Sequence, residues 1–154
     1  MKIIGDGGHA AVVREIINPY APDRGYAFVA IGDNAARKRE IEALKGYLLD
    51  TLIHSKAVVS PDAEIGAGTV IMAGAVVQAH AKIGIGCIIN SGATVDHHCI
   101  LEDYVHIAPG AHLCGNVHVG EGTLVGVGVG IAPNTTIPAW SLVKARRLEI
   151  CPMK

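Results

Sequence analysis

The stretch Ile65-Gly-Ala-Gly-Thr-Val-Ile71-Met-Ala-Gly-Ala-Val-Val77-Gln-Ala-His-Ala-Lys-Ile83-Gly-Ile-Gly-Cys-Ile-Ile89 holds a branched aliphatic residue at every sixth position. The same count runs back without insertion through Val59 to Ile53. It runs forward through Val95, Leu101, Ile107, Leu113, Val119, Val125, Ile131 and Ile137 to Val143. Neither an α-helix nor a plain strand repeats at six, so the period belongs to a coiled solenoid. Two residues before each aliphatic stands a mostly small one, such as Ala63, Thr69, Ala75, Ala81, Ala93 and Ala111, and Cys87 and Cys99 share this inward slot. Three residues after it stands Gly in many hexads, with Asp62, Asn116 and Asn134 filling in. These residue types tolerate positive φ, so a turn falls there once per hexad. Short strands separated by such turns predict a three-sided parallel prism of about 18 residues per coil and roughly five coils.

Residues 1–52 follow other rules. Lys2-Ile3-Ile4 reads as a strand, Gly5-Asp6-Gly7-Gly8 as a tight turn, and His9 to Ile17 as a helix with Val12, Val13, Ile16 and Ile17 on one face. A second strand is expected over Tyr26 to Ile31, followed by a turn and N-cap at Gly32-Asp33-Asn34. A helix over Ala35 to Lys45 and a third strand over Leu48 to Ile53 complete a fragment of a parallel α/β unit. The expected division is a reduced α/β domain over 1–52, a β-helix over 53–143 and a tail over 144–154.

Composition narrows the function classes. Half of the residues are apolar and 18% are charged, which excludes a disordered chain. The net charge is −1, and no basic run exceeds Arg37-Lys38-Arg39, so a nucleic-acid or membrane-surface role has no electrostatic footprint. Met1 to Gly5 is too short for a secretory apolar region and no apolar run approaches a membrane span, so a soluble cytoplasmic protein is expected. Cys87, Cys99, Cys114 and Cys151 form no CxxC pair, which argues against zinc-ribbon and redox readings. Cys87 and Cys99 are expected as reduced core fillers.

Histidines interrupt the repeat. With an 18-residue coil, His97 falls beneath Gly115, and His80, His98 and Asn116 stack at one corner. His106 falls on a flat face between Ile88 and Leu124, and His112 and His118 fall on the other two faces. Three readings compete. His54, His112 and His118 suit a polar surface. A zinc site of the γ-carbonic-anhydrase kind needs an H-x4-H pair, yet five after His97 stands Glu102 and five after His106 stands Ala111. A corner imidazole, titrating near neutrality, suits removal of a proton from an attacking amine or hydroxyl.

The segment Gly92-Ala-Thr-Val-Asp96-His97-His98-Cys-Ile-Leu-Glu-Asp-Tyr-Val-His106-Ile-Ala-Pro-Gly-Ala-His-Leu-Cys-Gly115-Asn116 resembles the signature of one acyltransferase family. That family contains the sialic acid O-acetyltransferases and the UDP-4-amino-sugar N-acetyltransferases (NeuD/PglD type). Ile3-Ile-Gly-Asp-Gly7-Gly8-His9-Ala and Ile31-Gly32-Asp33-Asn34 resemble its two sugar-nucleotide-binding turns. The resemblance implies a left-handed parallel β-helix, acetyl-CoA as co-substrate, no metal, a homotrimer, and a sugar or nucleotide-sugar acceptor. It implies that His97 is the general base, with His98 in the place of the acidic residue that usually follows and Asp96 available to orient the ring. His106 and Gly115 match positions at the acetyl end of the cofactor, and Gly126, Val127 and Ala145 positions along its pantetheine arm. Gly7, Gly8, His9, Gly32 and Asp33 match the substrate-binding turns. Besides His98, one departure stands out. Asn18 to Gly25 bridges directly a gap where the family carries another strand and an acidic pair, roughly 20–30 residues on ordinary element lengths. A structural or binding solenoid without catalysis is the alternative reading, and a metal enzyme a weaker one.

Overall fold

The computed structural model describes residues 1–16 and 25–144. Its α/β part consists of β1 (Lys2–Ile4), α1 (Gly8–Ile16), β2 (Tyr26–Val29), α2 (Asn34–Ala43) and β3 (Leu48–Leu49), with the strands parallel in the order β1-β2-β3. The bounds differ slightly from the sequence expectations, and Ile17 lies outside the described residues. Within α1 the buried residues are Ala10 and Val13, whereas Val12 is 43% exposed, so the inward face is rotated from the expected one. The small Ala10 lets the helix backbone come close to the strands beneath. Asp33 caps α2 as expected, its Oδ1 accepting the Ala36 N–H at 2.7 Å. The expected strand over Leu48 to Ile53 divides. Leu48–Leu49 pairs with Tyr26–Ala27, and Leu52–Ile53 pairs with Val70–Ile71 as the first strand of the prism.

From Leu52 to Val143, sixteen two-residue strands form three parallel sheets of six, five and five. The first face carries Leu52–Ile53, Val70–Ile71, Ile88–Ile89, His106–Ile107, Leu124–Val125 and Leu142–Val143. The second runs from Val58–Val59 through Thr94–Val95 and His112–Leu113 to Gly130–Ile131. The third runs from Glu64–Ile65 through Ile100–Leu101 to Thr136–Ile137. Each strand pairs with residues 18 away, as Ile88 does with both Val70 and His106. The hexad aliphatics and the small slot form one continuous core, in which Cys87 and Cys99 are fully buried. Burial pushes the Cys87 thiol up to about 12, so it is an inert filler, as expected.

The turn slot has positive φ in thirteen successive hexads from Gly68 to Trp140. Six of these residues are not glycine: His80, His98, Tyr104, Asn116, Asn134 and Trp140, at φ between 56° and 61°. The two aromatic occupants were not anticipated. Asp62, expected in the set, is not part of it; there the Ser60 hydroxyl accepts the Asp62 N–H at 3.4 Å and shapes the turn differently.

The α/β part is bound to the prism by an apolar layer and a buried cation. Ala10, Val13, Phe28 and Ala30 pack on Leu52, Val70, Met72 and Ile88 of the first face. Beside them, Arg37 of α2 is 1% exposed. Its Nε donates to Gly86 O at 2.6 Å, its Nη1 to Ile31 O and Gly32 O, and its Nη2 to Asn34 Oδ1 and Tyr104 O, both at 2.8 Å. Burial lowers its pKa to about 10, which still leaves it charged at neutral pH. Lys38 adds an ion pair to Glu121 at 2.8 Å and lies 4.7 Å from the Tyr104 ring centre. Among the described residues no helix is long and apolar enough to cross a membrane. Removing the cation leaves its carbonyl acceptors buried and unpaired, so Arg37→Ala should lower the free energy of unfolding by about 3–5 kcal/mol in a denaturant titration.

Candidate active site

Two groups of polar side chains stand out, and they lie on opposite sides of the prism. The first is at the corner between the second and third faces. The His97 imidazole lies against the backbone of Gly115 one coil above. A Cβ built on Gly115 would come within 2.5 Å of its Cε1 and 2.7 Å of its Nε2. Glycine at 115 is therefore what lets the ring lie there. The Gly115 N–H makes no hydrogen bond among the described residues, while its carbonyl accepts from Asn134 N–H at 3.1 Å.

Asp96 does not orient the ring. Its Oδ1 accepts the backbone N–H of His97 at 2.7 Å and so fixes the turn. The ring contact is made by His98, Nδ1 to Nδ1 at 3.1 Å, with the two rings edge to face at 83°. His98 in turn lies over His80, with ring centres 5.0 Å apart. Next to this corner, on the second face, runs a groove of about 260 Å³ lined by Thr94, Asp96, His112 and Cys114. Thr94 and Cys114 were not among the residues expected here, since neither breaks the repeat. His112 is bound to Thr94 Oγ1 at 3.0 Å and His118 to Glu102 Oε1 at 2.9 Å, in keeping with surface roles.

The second group is where the α/β part meets the first face. His106 Nε2 is 3.1 Å from Asn90 Nδ2, and its ring stands beside the Gly32 backbone. His9 stands close by, at the second position of α1, and its Nε2 is buried without a partner among the described residues. Burial first, and the Arg37 charge second, lower the pKa of each histidine to about 4. Both are neutral at physiological pH. Gly7 and Gly8 leave open space where a Cβ would project, at the amino end of a helix whose first N–H groups face outward. Gly32 and Asp33 edge a recess of about 240 Å³ against Leu124, Trp140 and Leu142, with the Asp33 carboxylate engaged as the α2 cap.

Gly126 and Val127 lie at a third place, the corner between the first and second faces, where Val127 is 64% exposed. Ala145 and Cys151 lie outside the described residues. Within one chain, then, the structure brings His97 together with His98, Asp96 and Gly115, and His106 with His9 and Gly32. It does not bring the two sets to one pocket. Arg37 and Asn90 were missed in the sequence. Arg37 was noted only within the short Arg37-Lys38-Arg39 run, and the carbonyls that hold it inward lie far off in the chain.

A hexapeptide prism that carries an imidazole over a glycine backbone at its corner, and an α/β cap with a glycine-rich helix start, defines the class of hexapeptide acyltransferases. Relatives place the chain within that class. It is 41% identical to UDP-N-acetylbacillosamine N-acetyltransferase of Bacillus subtilis over 110 residues, a match that covers 47% of this chain and half the length of that protein. The acetyltransferase domain of PglB from Neisseria gonorrhoeae superposes with a TM-score of 0.86 at 36% identity, over 92% of this chain and 86% of that one. PerB from Caulobacter crescentus, solved with CoA and GDP-perosamine, superposes with a TM-score of 0.85 at 36% identity, over 95% and 88% of the two chains. No protein-family model matches the chain. The chain belongs to the NeuD/PglD-type family of sugar acetyltransferases.

The two neutral histidines give the fold a pH dependence. They take up protons near pH 4 when folded and near 6.5 when unfolded, so acid favours the unfolded state. Their stabilising effect is complete above about pH 6.5 and is lost as the pH falls towards 4. The thermal midpoint should fall over that interval, and His106→Asn should flatten the fall by an amount on the order of 2 kcal/mol.

Proposed function

We propose that the chain transfers the acetyl group of acetyl-CoA to the amino group of a nucleotide-linked amino sugar, with His97 as general base. The observation that carries this reading is the His97 ring lying on Gly115, whose N–H is unengaged among the described residues. A base and an unengaged backbone donor thus stand side by side, one coil apart, where one thioester carbonyl would meet both. One such donor is worth about 2.7–4 kcal/mol in other acyl-transfer enzymes. The amine attacks the carbonyl carbon, His97 Nε2 takes its proton, and collapse of the adduct expels the CoA thiolate. Neighbouring structures support the choice of ligands: the PglB acetyltransferase domain has been solved with acetyl-CoA and PerB with GDP-perosamine. Acetyl-CoA as donor goes with a cytoplasmic location.

The acceptor and the base lie on different sides of the prism, which supports a homotrimer. In this reading the Gly7-Gly8-His9 turn, Gly32, Asp33 and His106 of one copy face His97 of the next. Acetyl-CoA lies between them, its pantetheine arm along the coils that carry Gly126, Val127 and Ala145. A neighbour supplies the second wall that a convex prism lacks. Neutral His9 and His106 provide polar contacts there without adding charge. The α/β part is the binding domain of this arrangement and the prism its catalytic domain.

Thiol release in the presence of acetyl-CoA and a panel of UDP- and GDP-linked amino sugars tests the activity. His97→Ala should lower kcat/KM by about 10²–10⁴-fold with an unchanged circular dichroism spectrum. An unchanged rate removes His97 from the mechanism. Gly115→Ala meets only the movable tip of the His97 side chain, so it should fold normally. By displacing the base it should cost about 100-fold in rate.

A further inference from the structure

His98 occupies the turn position where the family resemblance calls for an acidic residue, and the structure gives it a specific partner. Its Nδ1 lies 3.1 Å from His97 Nδ1. In such a contact one nitrogen donates and the other accepts. If His98 accepts, His97 carries its proton on Nδ1, and its Nε2, the atom turned towards Gly115, holds the lone pair a base needs. Asp96 makes no hydrogen bond to the ring; its Oδ1 accepts the His97 backbone N–H at 2.7 Å. The titratable groups at this corner are thus His97, His98, Asp96 and, one coil below, His80. The His80 ring lies 5.0 Å from that of His98 at a tilt of 49° and supports it from beneath. His98 is held at φ 57° by the turn, so the ring pair is set by the backbone.

We propose that His98 is a proton-accepting and positioning residue that acts through His97, so that the site runs on an imidazole pair in place of an imidazole and a carboxylate. The proposal rests on His97 being the base of an acetyl transfer. As the amine nitrogen bonds to the thioester carbon, its proton passes to His97 Nε2 and the Nδ1 proton of His97 passes to His98 Nδ1. When the C–S bond breaks, the thiolate takes the proton from His97 Nε2 and His98 returns its own to His97 Nδ1. The products are the amide and free CoA thiol, and no proton is left on the enzyme. A carboxylate in this place would stabilise the imidazolium without taking its proton. A second imidazole offers a ring-nitrogen lone pair in the contact and can take it.

The test is a proton inventory, the rate of acetyl transfer measured in graded mixtures of light and heavy water. For the wild-type trimer we expect a bowed curve, the sign of two protons in flight. His98→Glu should keep activity but give a straight line, and the acidic limb of its pH profile should move up by about one unit, since a carboxylate favours protonated His97. His98→Asn can still accept the Nδ1 hydrogen bond but cannot take the proton, and asparagine is already present in the same slot at Asn116 and Asn134. It should fold normally and lose about tenfold or more in kcat with KM unchanged. A straight wild-type inventory, or a His98→Asn enzyme as fast as wild type, overturns the relay. Wild-type protein that acetylates none of the amino-sugar nucleotides overturns the acetyltransferase reading itself.

Discussion

Everything in this molecule depends on the left-handed backbone turn that recurs every six residues. Two-residue strands have too few hydrogen bonds to set their own register. The turns set it for them, by closing three sides in eighteen residues so that each strand meets its equivalent one coil away. Holding a non-glycine residue at positive φ costs about 1–2 kcal/mol. That cost is borne at six of the thirteen turns, two of them histidines at the corner of the candidate site. Sequence offset thereby becomes distance. His97 meets Gly115, and His98 meets His80, because each pair is separated by one coil.

The α/β part has no such periodic support, and its attachment relies on different physics. Its three short strands and first helix present apolar side chains that need a covering layer. The prism supplies the missing core through Val70, Met72 and Ile88, and Arg37 ties down the rim. A buried guanidinium is costly unless every donor has a partner, and here the donors reach carbonyls from both parts of the chain. Its charge also reaches His9 and His106, where it adds to burial in keeping both uncharged. One residue therefore couples the joint between the two parts to the electrostatics around His9 and His106.

These differences explain what the sequence made legible. The prism, its core slots and the His97–Gly115 pair follow from counting, because a repeat without insertions leaves no freedom in register. Aromatic residues at positive φ were not expected, since propensity rules disfavour them. Tyr104 sits there packed against Ile41 and Lys38, and the Trp140 ring lies over Gly122, so tertiary contact overrides the local preference. Arg37 could not be read because its role is set by carbonyls 49 and 67 residues away, for which a linear pattern has no signal. Asp96 was misjudged for a local reason. A short aspartate in a turn is drawn to the backbone N–H that follows it, which aims its carboxylate at the backbone and not at the ring.

The same corner also bears on which acceptor atom suits the site. An amine attacks with its own lone pair, and its proton becomes acidic only as the adduct forms, so a moderate base acting late is enough. A hydroxyl is a poorer nucleophile and needs its proton drawn away as it attacks, which favours a base strengthened by a buried carboxylate. Here no carboxylate among the described residues touches the His97 ring; its partner is another imidazole on an exposed turn. His9 and His106 do not add a strong base either, since both are held neutral and Nε2 of His106 is engaged by Asn90. An imidazole partner without a carboxylate is enough for a nitrogen acceptor, which accords with the amino-sugar reading.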